Sequence, residues 1–166
     1  MTAVSTQSPS KLDRNLERVE ELAARDHHLA VSVTVDAGGA PQVAVVNIGV
    51  VTHPHTNGLC VAFVARRGAK LTNLRRRPHA TVVVRAGWEW IAVSGRATLI
   101  GPDDPDAAVD VQSRRDLLRA IYHAAGGDHP DLPAYDRVML DERRCAVLID
   151  PERFTTNPVG SEHLEP

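Results

Sequence analysis

Few folds accommodate the short Val- and Ala-rich runs that recur along this chain. Residues 29–36 alternate large apolar side chains with small or polar ones, the period of a strand that buries one face. Similar runs follow, and Gly, Pro and Asn-Gly steps separate them. The runs that we predict as strands are residues 29–36, 41–51, 59–65, 80–85, 88–100 and 144–149, the last continuing toward Thr156.

The connections between these runs indicate how they pair. The segment from His53 to Gly58 contains Pro54 and an Asn-Gly step, so we expect residues 41–51 and 59–65 to pair antiparallel. Ala86-Gly87 is short enough for a tight hairpin. Because strands and helices do not alternate as βαβ units, six successive strands predict an antiparallel barrel or strongly curled sheet.

Helices are predicted at the start, middle and late part of the chain, which makes the fold class mainly β with helices, or α+β. Ser10 and Asp13 resemble a helix-capping box, and apolar residues then recur on one face of an opening helix. Residues 106–125 and 131–142 have helical spacing as well. We expect residues 10–158 to form one domain, with flexible termini at 1–9 and 159–166.

Composition excludes several classes of protein. No apolar run approaches the ~20 residues of a membrane helix, and the first nine residues lack the pattern of a secretory signal, so we expect a cytoplasmic protein. Cys60 and Cys145 lie far apart in apolar runs and are predicted to be buried free thiols. His53-Pro54-His55 is interpreted as a turn, and we predict no metal site.

Residues 66–77 contain six cations and no acid, although the whole chain has a formal net charge of only −2. This basic segment lies between two predicted strands, and Pro78 ends it, so we expect a strand to pass into one short helix there. Backbone N–H groups at a helix start, together with cationic side chains, favour a phosphate. A solvated basic face is the alternative. Nucleic-acid binding is disfavoured by the pI near 6.4 and by the absence of interleaved aromatic residues.

Several segments resemble the pyridoxamine-5′-phosphate-oxidase-like family of split β-barrel flavin and deazaflavin oxidoreductases. Within that family, they are most similar to the actinobacterial branch that uses the deazaflavin coenzyme F420. The segments that carry the resemblance are Gln42-Val43-Ala44-Val45-Val46-Asn47, Phe63-Val64-Ala65-Arg66, Ala69-Lys70-Leu71-Thr72-Asn73-Leu74-Arg75, Pro78-His79-Ala80-Thr81-Val82 and Gly87-Trp88-Glu89-Trp90.

The resemblance implies a homodimer with each cofactor, coenzyme F420 or alternatively FMN, in a groove at the subunit interface. It places the cofactor phosphate on the segment from Ala65 to Asn73, which includes Leu71. Lys70 occupies the motif lysine and is the predicted phosphate ligand, with Asn73 supporting it. Arg66 or Arg67 would add contacts to the phosphate or to the carboxylates of a polyglutamate tail. Of Arg75, Arg76 and Arg77, at least two are expected to face water.

The resemblance also places Asn47 near the ring system of the cofactor, which we expect to lie along residues 45–48, including Val46. Asn47 either donates a hydrogen bond to the ring edge or is satisfied by neighbouring backbone. Trp88 and Trp90, two residues apart, are predicted to face the same side of a strand. They form either an apolar wall for the cofactor or part of the barrel core or dimer interface. Glu89 then points the opposite way, to solvent or to a cation such as Arg85.

These implications amount to a reductase that transfers a hydride from reduced F420 to an electron-poor C=C or C=N bond of a small organic substrate. No acid–base dyad is apparent, so we predict no catalytic side chain and expect the cofactor to supply the chemistry. Two alternatives stay open. One is an FMN-dependent oxidoreductase of the same class, and the other is a non-catalytic carrier of a deazaflavin, flavin or tetrapyrrole.

Overall fold

The structure is a computed structural model that describes residues 10–157. The predicted flexible termini, 1–9 and 159–166, lie outside the described residues. The strands are β1 Leu29–Val35, β2 Pro41–Asn47, β3 Gly49–Thr52, β4 Leu59–Ala65, β5 His79–Ala86, β6 Glu89–Ile100 and β7 Cys145–Thr156. The helices are α1 Lys11–Ala24, α2 Ala69–Arg76, α3 Val111–Ala124 and α4 Leu132–Asp141.

All seven strands belong to one antiparallel sheet with the order β2-β1-β5-β6-β7-β4-β3. The two edge strands, β2 and β3, follow each other in the chain and are separated by Ile48 alone. Since one residue cannot span a flat seven-stranded sheet, the sheet must curl until its edges meet. The predicted antiparallel barrel of six or more strands is thereby confirmed.

The prediction of one continuous strand over residues 41–51 is wrong. The chain leaves the ladder with β1 after Asn47, which pairs with Leu29, and enters the ladder with β4 at Gly49, which pairs with Ala62. Gly49 also lies under α3, where a Cβ atom would stand 2.4 Å from the Cβ of Ala124. The antiparallel pairing with residues 59–65 is therefore confirmed only for the second half of the predicted strand.

The barrel interior holds the larger of two apolar clusters. Its members come from α1, from α2 and from the inner faces of the strands, and they include Leu16, Leu22, Phe63, Leu74 and Ile149. A second, smaller cluster lies on the other side of β4 and β7, where Leu118 and Ile121 of α3 cover the sheet. The sheet is thus buried on both faces along β4 and β7, which explains the continuous apolar sequence of these strands.

The predicted start of α1 and both thiols are confirmed. The Ser10 hydroxyl accepts a hydrogen bond from the Asp13 N–H at 3.1 Å, and the Asp13 carboxylate accepts one from the Ser10 N–H at 2.9 Å. Cys60 and Cys145 are free and buried, and burial raises the pKa of each thiol to about 12. Among residues 10–157, no helix combines the length and the apolarity needed to cross a membrane.

Two further boundaries differ from prediction. Helix α3 begins at Val111 and not at residue 106, because Asp110 caps it by accepting a hydrogen bond from the Ser113 N–H at 2.7 Å. The β5–β6 hairpin turns at Gly87 and Trp88, with Ala86 paired to Glu89. Gly87 takes a positive φ of 62°, a conformation that glycine adopts at little cost.

This turn changes the expected surroundings of Glu89. The expectation that Glu89 points to solvent or to a cation is confirmed, but the partner is not Arg85, because the hairpin folds against α1 and the Glu89 carboxylate binds Arg18 and Arg25. Hydrogen bonds from Arg25 and Arg18 hold the pKa of the Glu89 carboxyl below its usual value. The hairpin is thereby fixed to the first helix.

Gly95 is required where β6 and β7 shift register, between Ser94 and Gly95. A Cβ atom at Gly95 would stand 1.7 Å from the backbone oxygen of Asp150. We expect Gly95→Ala to lower the free energy of unfolding by about 2 to 3 kcal/mol, as overpacking does, in a urea titration.

Gly58→Ala is the matched control. An added Cβ there meets only the Thr56 hydroxyl at 3.5 Å, an ordinary contact. Its effect should stay within about 0.5 kcal/mol. Equal stabilities for the two variants would contradict the close approach at Gly95.

Candidate cofactor-binding site

The predicted anion site begins where β4 leaves the core. Ala65 is buried and pairs with Cys145, whereas Arg66 and Arg67 are exposed. Gly68 then forms the N-cap of α2, and within the described chain no side chain caps this helix by a hydrogen bond. The first N–H groups of α2 are thus available to an anion, and the positive end of the helix dipole lies there.

Lys70 lies in the first turn of α2 and is half-buried, with its Nζ 5.0 Å from the ring centroid of Phe63. Burial lowers the pKa of the Lys70 ammonium below its ordinary value. No carboxylate in the described part of the chain pairs with it. A partly desolvated cation that contacts only a ring face gains from a phosphate placed beside it, so the group fits this position.

Sequence reasoning missed one signal here. Lys11 and Lys70 are the only lysines of the chain, whereas all other basic residues except histidine are arginine. The compact ammonium of a lysine can lie against the Phe63 ring. The planar guanidinium of an arginine differs from it in shape and hydration. The rarity of lysine therefore distinguishes position 70 from its arginine neighbours.

Asn73 is buried one turn further along α2. Its amide Nδ2 donates to the Thr34 hydroxyl at 3.2 Å and to the Gln42 side-chain oxygen at 2.9 Å. Thr34 lies on β1 and Gln42 on β2, so this amide fixes α2 to both strands. Leu71 is buried in the barrel core and anchors the same helix. Asn73 and Leu71 therefore orient the helix that carries Lys70.

The arginines of the basic segment divide into paired and unpaired groups. Arg75 binds the Asp104 carboxylate through two bonds of 2.7 Å, and Arg77 donates to the backbone oxygen of Asp36 at 2.9 Å. All three side chains are exposed, as expected, but two of them do not face water alone, because contacts distant in sequence hold them. Arg76 is exposed and forms no ion pair with another described residue.

An acidic turn after β6 limits the charge of this region. Asp103 lies 3.7 Å from the Arg67 Nε and accepts a hydrogen bond of 3.0 Å from Arg143. Arg143 holds the pKa of the Asp103 carboxyl below its usual value. Arg67 and Arg143 share the Asp103 carboxylate. Because Arg67 is also mostly exposed, it remains able to reach an anion. Together with Arg66 and Lys70, it forms the cationic side of the site.

The residues predicted to contact the ring system lie in two places. Val46 is half-buried against the barrel core, and the exposed Asn47 donates its amide to the backbone oxygen of His27 at 3.0 Å. This contact matches the alternative in which neighbouring backbone satisfies Asn47. Because Asn47 precedes Gly49, and Gly49 pairs with Ala62, the end of β2 approaches the part of β4 that leads to the basic segment.

The two tryptophans do not share a strand face, contrary to prediction. Trp88 lies in the hairpin turn and is 56% exposed, whereas Trp90 is half-buried on β6. Asn157 contacts the backbone of both, accepting from the Trp90 N–H at 3.2 Å and donating to the Trp88 oxygen at 3.0 Å. Strand β6 is three strands from β2, about 14 Å around the sheet. One chain therefore does not place the tryptophans against Asn47.

An outward apolar face adjoins this site on β1 and β2. We call it the outer face, and it consists of Leu29, Val31, Val43 and Val45. Val43 and Val45 are 61% and 65% exposed, and Val45 pairs across the strands with Val31. A groove of about 410 Å³ continues it over β5 and β6, where the Thr81 and Ser94 hydroxyls share a hydrogen bond of 2.8 Å. Contiguous exposed apolar surface of this kind is typical of an interaction site.

This fold and this site agree with a known family. The family model for pyridoxamine 5′-phosphate oxidase matches residues 16–156, so the chain belongs to this family. The fold is its split β-barrel, with seven antiparallel strands and four helices in the described residues.

Solved structures with the same fold have different descriptions. A pyridoxamine 5′-phosphate oxidase-related, FMN-binding protein of Nostoc punctiforme is 17% identical, with 90% of this chain and 86% of that chain covered and a TM-score of 0.63. A structure described as an F420 reductase is 16% identical, with 82% and 94% covered and a TM-score of 0.56. The heme storage protein HutZ of Vibrio cholerae is 14% identical, with 93% and 100% covered and a TM-score of 0.53. At these identities, the likeness is one of fold.

The surroundings of Lys70 predict its titration. In a pH titration followed by NMR of the lysine Cε resonances, Lys70 should titrate below the ordinary lysine value, because burial disfavours its charged form. Adding inorganic phosphate should raise this pKa, because a nearby anion favours the ammonium.

Assignment is simple, because Lys11 is the only other lysine and Lys70→Met removes one resonance. An ordinary lysine pKa at Lys70 that does not change when phosphate is added would contradict the described environment.

Proposed function

We propose that the protein is an F420-dependent reductase that reduces an electron-poor C=C or C=N bond of a small organic molecule. The observation that carries this proposal is the half-buried Lys70 ammonium, which lies over Phe63 at the uncapped start of α2. Such a cation and free helix N–H groups together bind a phosphate monoester or diester. Membership of the pyridoxamine 5′-phosphate oxidase family supports a phosphorylated redox cofactor.

The surrounding side chains support F420 over FMN through their charge. Arg66 and Arg67 extend from the phosphate position into solvent, and Arg66 has no ion-pair partner among the described residues. A polyglutamate tail, which FMN lacks, would place carboxylates beside these guanidinium groups.

The chain binds and orients, and the cofactor reacts. A bound, reduced deazaflavin would supply a hydride, with its two electrons, and water would supply the proton that completes the reduction. Val46 and the neighbouring backbone of β2 would line the approach to the ring. Asn73 keeps α2, and with it Lys70, in position.

We further propose a homodimer that buries the outer face. Four exposed aliphatic side chains on two adjacent strands favour association, and a second copy offers the same apolar surface. Within one chain, Trp88 and Trp90 lie away from Asn47. This separation also supports a site made by two chains, in which the partner subunit's Trp88 or Trp90 covers the cofactor-binding groove.

The cofactor assignment is tested by titrating the protein with oxidised F420 and, separately, with FMN while following fluorescence quenching. We expect F420 to bind more tightly than FMN. Reduced F420 bound to the protein should then be reoxidised by at least one member of a panel of enones, imines and quinones. Tight FMN binding without F420 binding would overturn the assignment of F420 as the cofactor. If no compound of the panel reoxidised the bound cofactor, the carrier function would be favoured.

In the same assay, Lys70→Ala should weaken F420 binding by about 1.5 to 3 kcal/mol, because it removes a charge-assisted contact. Arg76→Ala is the matched control: it removes an equal charge from the same helix at an exposed position and should cost much less. Equal losses of F420 affinity in the two variants would mean that binding depends on overall positive charge and not on a specific contact of Lys70.

The homodimer predicts that Val45→Asp separates the subunits, because a carboxylate would be buried in an apolar interface. Sedimentation velocity should show a dimer for the natural sequence and a monomer for this variant. Val138→Asp, at a 46% exposed position on α4, should remain dimeric. A monomeric natural protein, or a dimeric Val45→Asp variant, would refute this interface.

A further inference from the structure

A second cavity lies between α3 and α4, outside the proposed cofactor site. Its volume is about 320 Å³. The Tyr135 hydroxyl donates to the backbone oxygen of Leu118 at 3.2 Å, and Asp136 accepts two hydrogen bonds from Arg119, of 2.9 and 2.5 Å. These contacts hold the two helices in a defined arrangement, so the cavity is a built feature of the fold.

The body of the cavity is apolar. Leu118 is buried at its base, and Met139 packs against the second apolar cluster. Val111 at the start of α3 and Leu140 near the end of α4 form walls, although they are 62% and 60% exposed. Two large aliphatic side chains that remain exposed on facing helices leave room for an apolar ligand between them.

Positive charge surrounds this apolar body. Among the described residues, Asp136 is the only acid that lines the cavity. Five arginines line it: Arg114, Arg115, Arg119, Arg137 and Arg144. Asp136 is shared by Arg119 and by Arg115, whose Nε lies 3.5 Å away, and Arg144 binds Glu142 at 2.6 Å. Within residues 10–157, Arg114 and Arg137 have no carboxylate partner. The cavity therefore combines apolar walls with unneutralised guanidinium groups.

We propose that this cavity binds a small amphipathic organic anion, with an aliphatic or aromatic body between the helices and a carboxylate held by Arg114 and Arg137. Guanidinium groups bind carboxylates through paired hydrogen bonds, and a shielded apolar body adds affinity without a further polar contact. The site shares no residue with the Lys70 site, so it goes beyond the proposed reductase function.

The test uses the full chain and decanoate as the probe. Since Met1 and Met139 are the only methionines, methyl-labelled methionine gives a signal for Met139 inside the cavity. Decanoate below its micelle concentration should shift this signal saturably, with a dissociation constant in the millimolar range or tighter. Decanol, which has the same chain without the charge, should bind at least about tenfold more weakly.

Variants then locate the binding. Arg114→Gln combined with Arg137→Gln should weaken decanoate at least about tenfold. Val111→Asp should do the same by placing a carboxylate in the wall, and an acid in the first turn of α3 is compatible with the helix dipole. Arg96→Gln, on the exposed side of β6, and Lys70→Ala should leave decanoate binding unchanged.

Circular dichroism verifies that each variant is folded. Failure of decanoate to saturate, equal binding of decanol, or unchanged binding to the folded Val111→Asp variant would overturn the proposal. Because no F420 is present, these results are independent of the reductase assignment.

Discussion

Ile48 joins the two edges of the sheet, and the rest of the architecture depends on this single-residue connection. Its side chain is fully buried, and its N–H donates to the backbone oxygen of His28 at 2.9 Å. The sheet must therefore close around one interior, into which α1 and α2 insert apolar side chains. Closure brings the end of β2 toward β4, where the basic segment begins. The proposed cofactor site is thus a consequence of how the barrel closes.

The anion site depends on competition between charges. Asp103 and Asp104 bind three arginines near α2, so much of the positive charge visible in the sequence is neutralised inside the fold. The cations of this segment that no other described residue holds by an ion pair or hydrogen bond are Lys70 and Arg66 at the start of the helix and Arg76 at its end. A phosphate with a few carboxylates beside it would suit this distribution of charge, whereas the mildly acidic pI of the chain disfavours a long polyanion such as a nucleic acid.

Local signals in the sequence were sufficient for most of the fold. Alternating apolar residues predicted the strands, and the Ser10–Asp13 pair predicted the first helix, because both depend on neighbours in the chain. The break at Ile48 was not predicted, because Asn47 and Gly49 on either side of it are weak local signals in an otherwise Val-rich run. Only contacts with β1, β4 and α3 decide where β2 ends and β3 begins.

The same distinction applies to the site. The cluster of cations was apparent from sequence, but the partners of Arg75 and Arg77 come from other parts of the chain. Likewise, the spacing of Trp88 and Trp90 implied one strand face, whereas the two-residue turn needed Trp88 itself. The sequence therefore indicated which segments contribute to the proposed site. Tertiary contacts determined which side chains of those segments remain available to bind a ligand.

The environment of Lys70 has a chemical consequence as well. An amine whose pKa is lowered by burial is neutral more often than an ordinary lysine at the same pH, and the neutral amine is the nucleophile. In a chain with one other lysine, acylating reagents therefore gain a preferred point of attachment at the start of α2. The position that we propose for the phosphate ligand is therefore also suited to selective labelling.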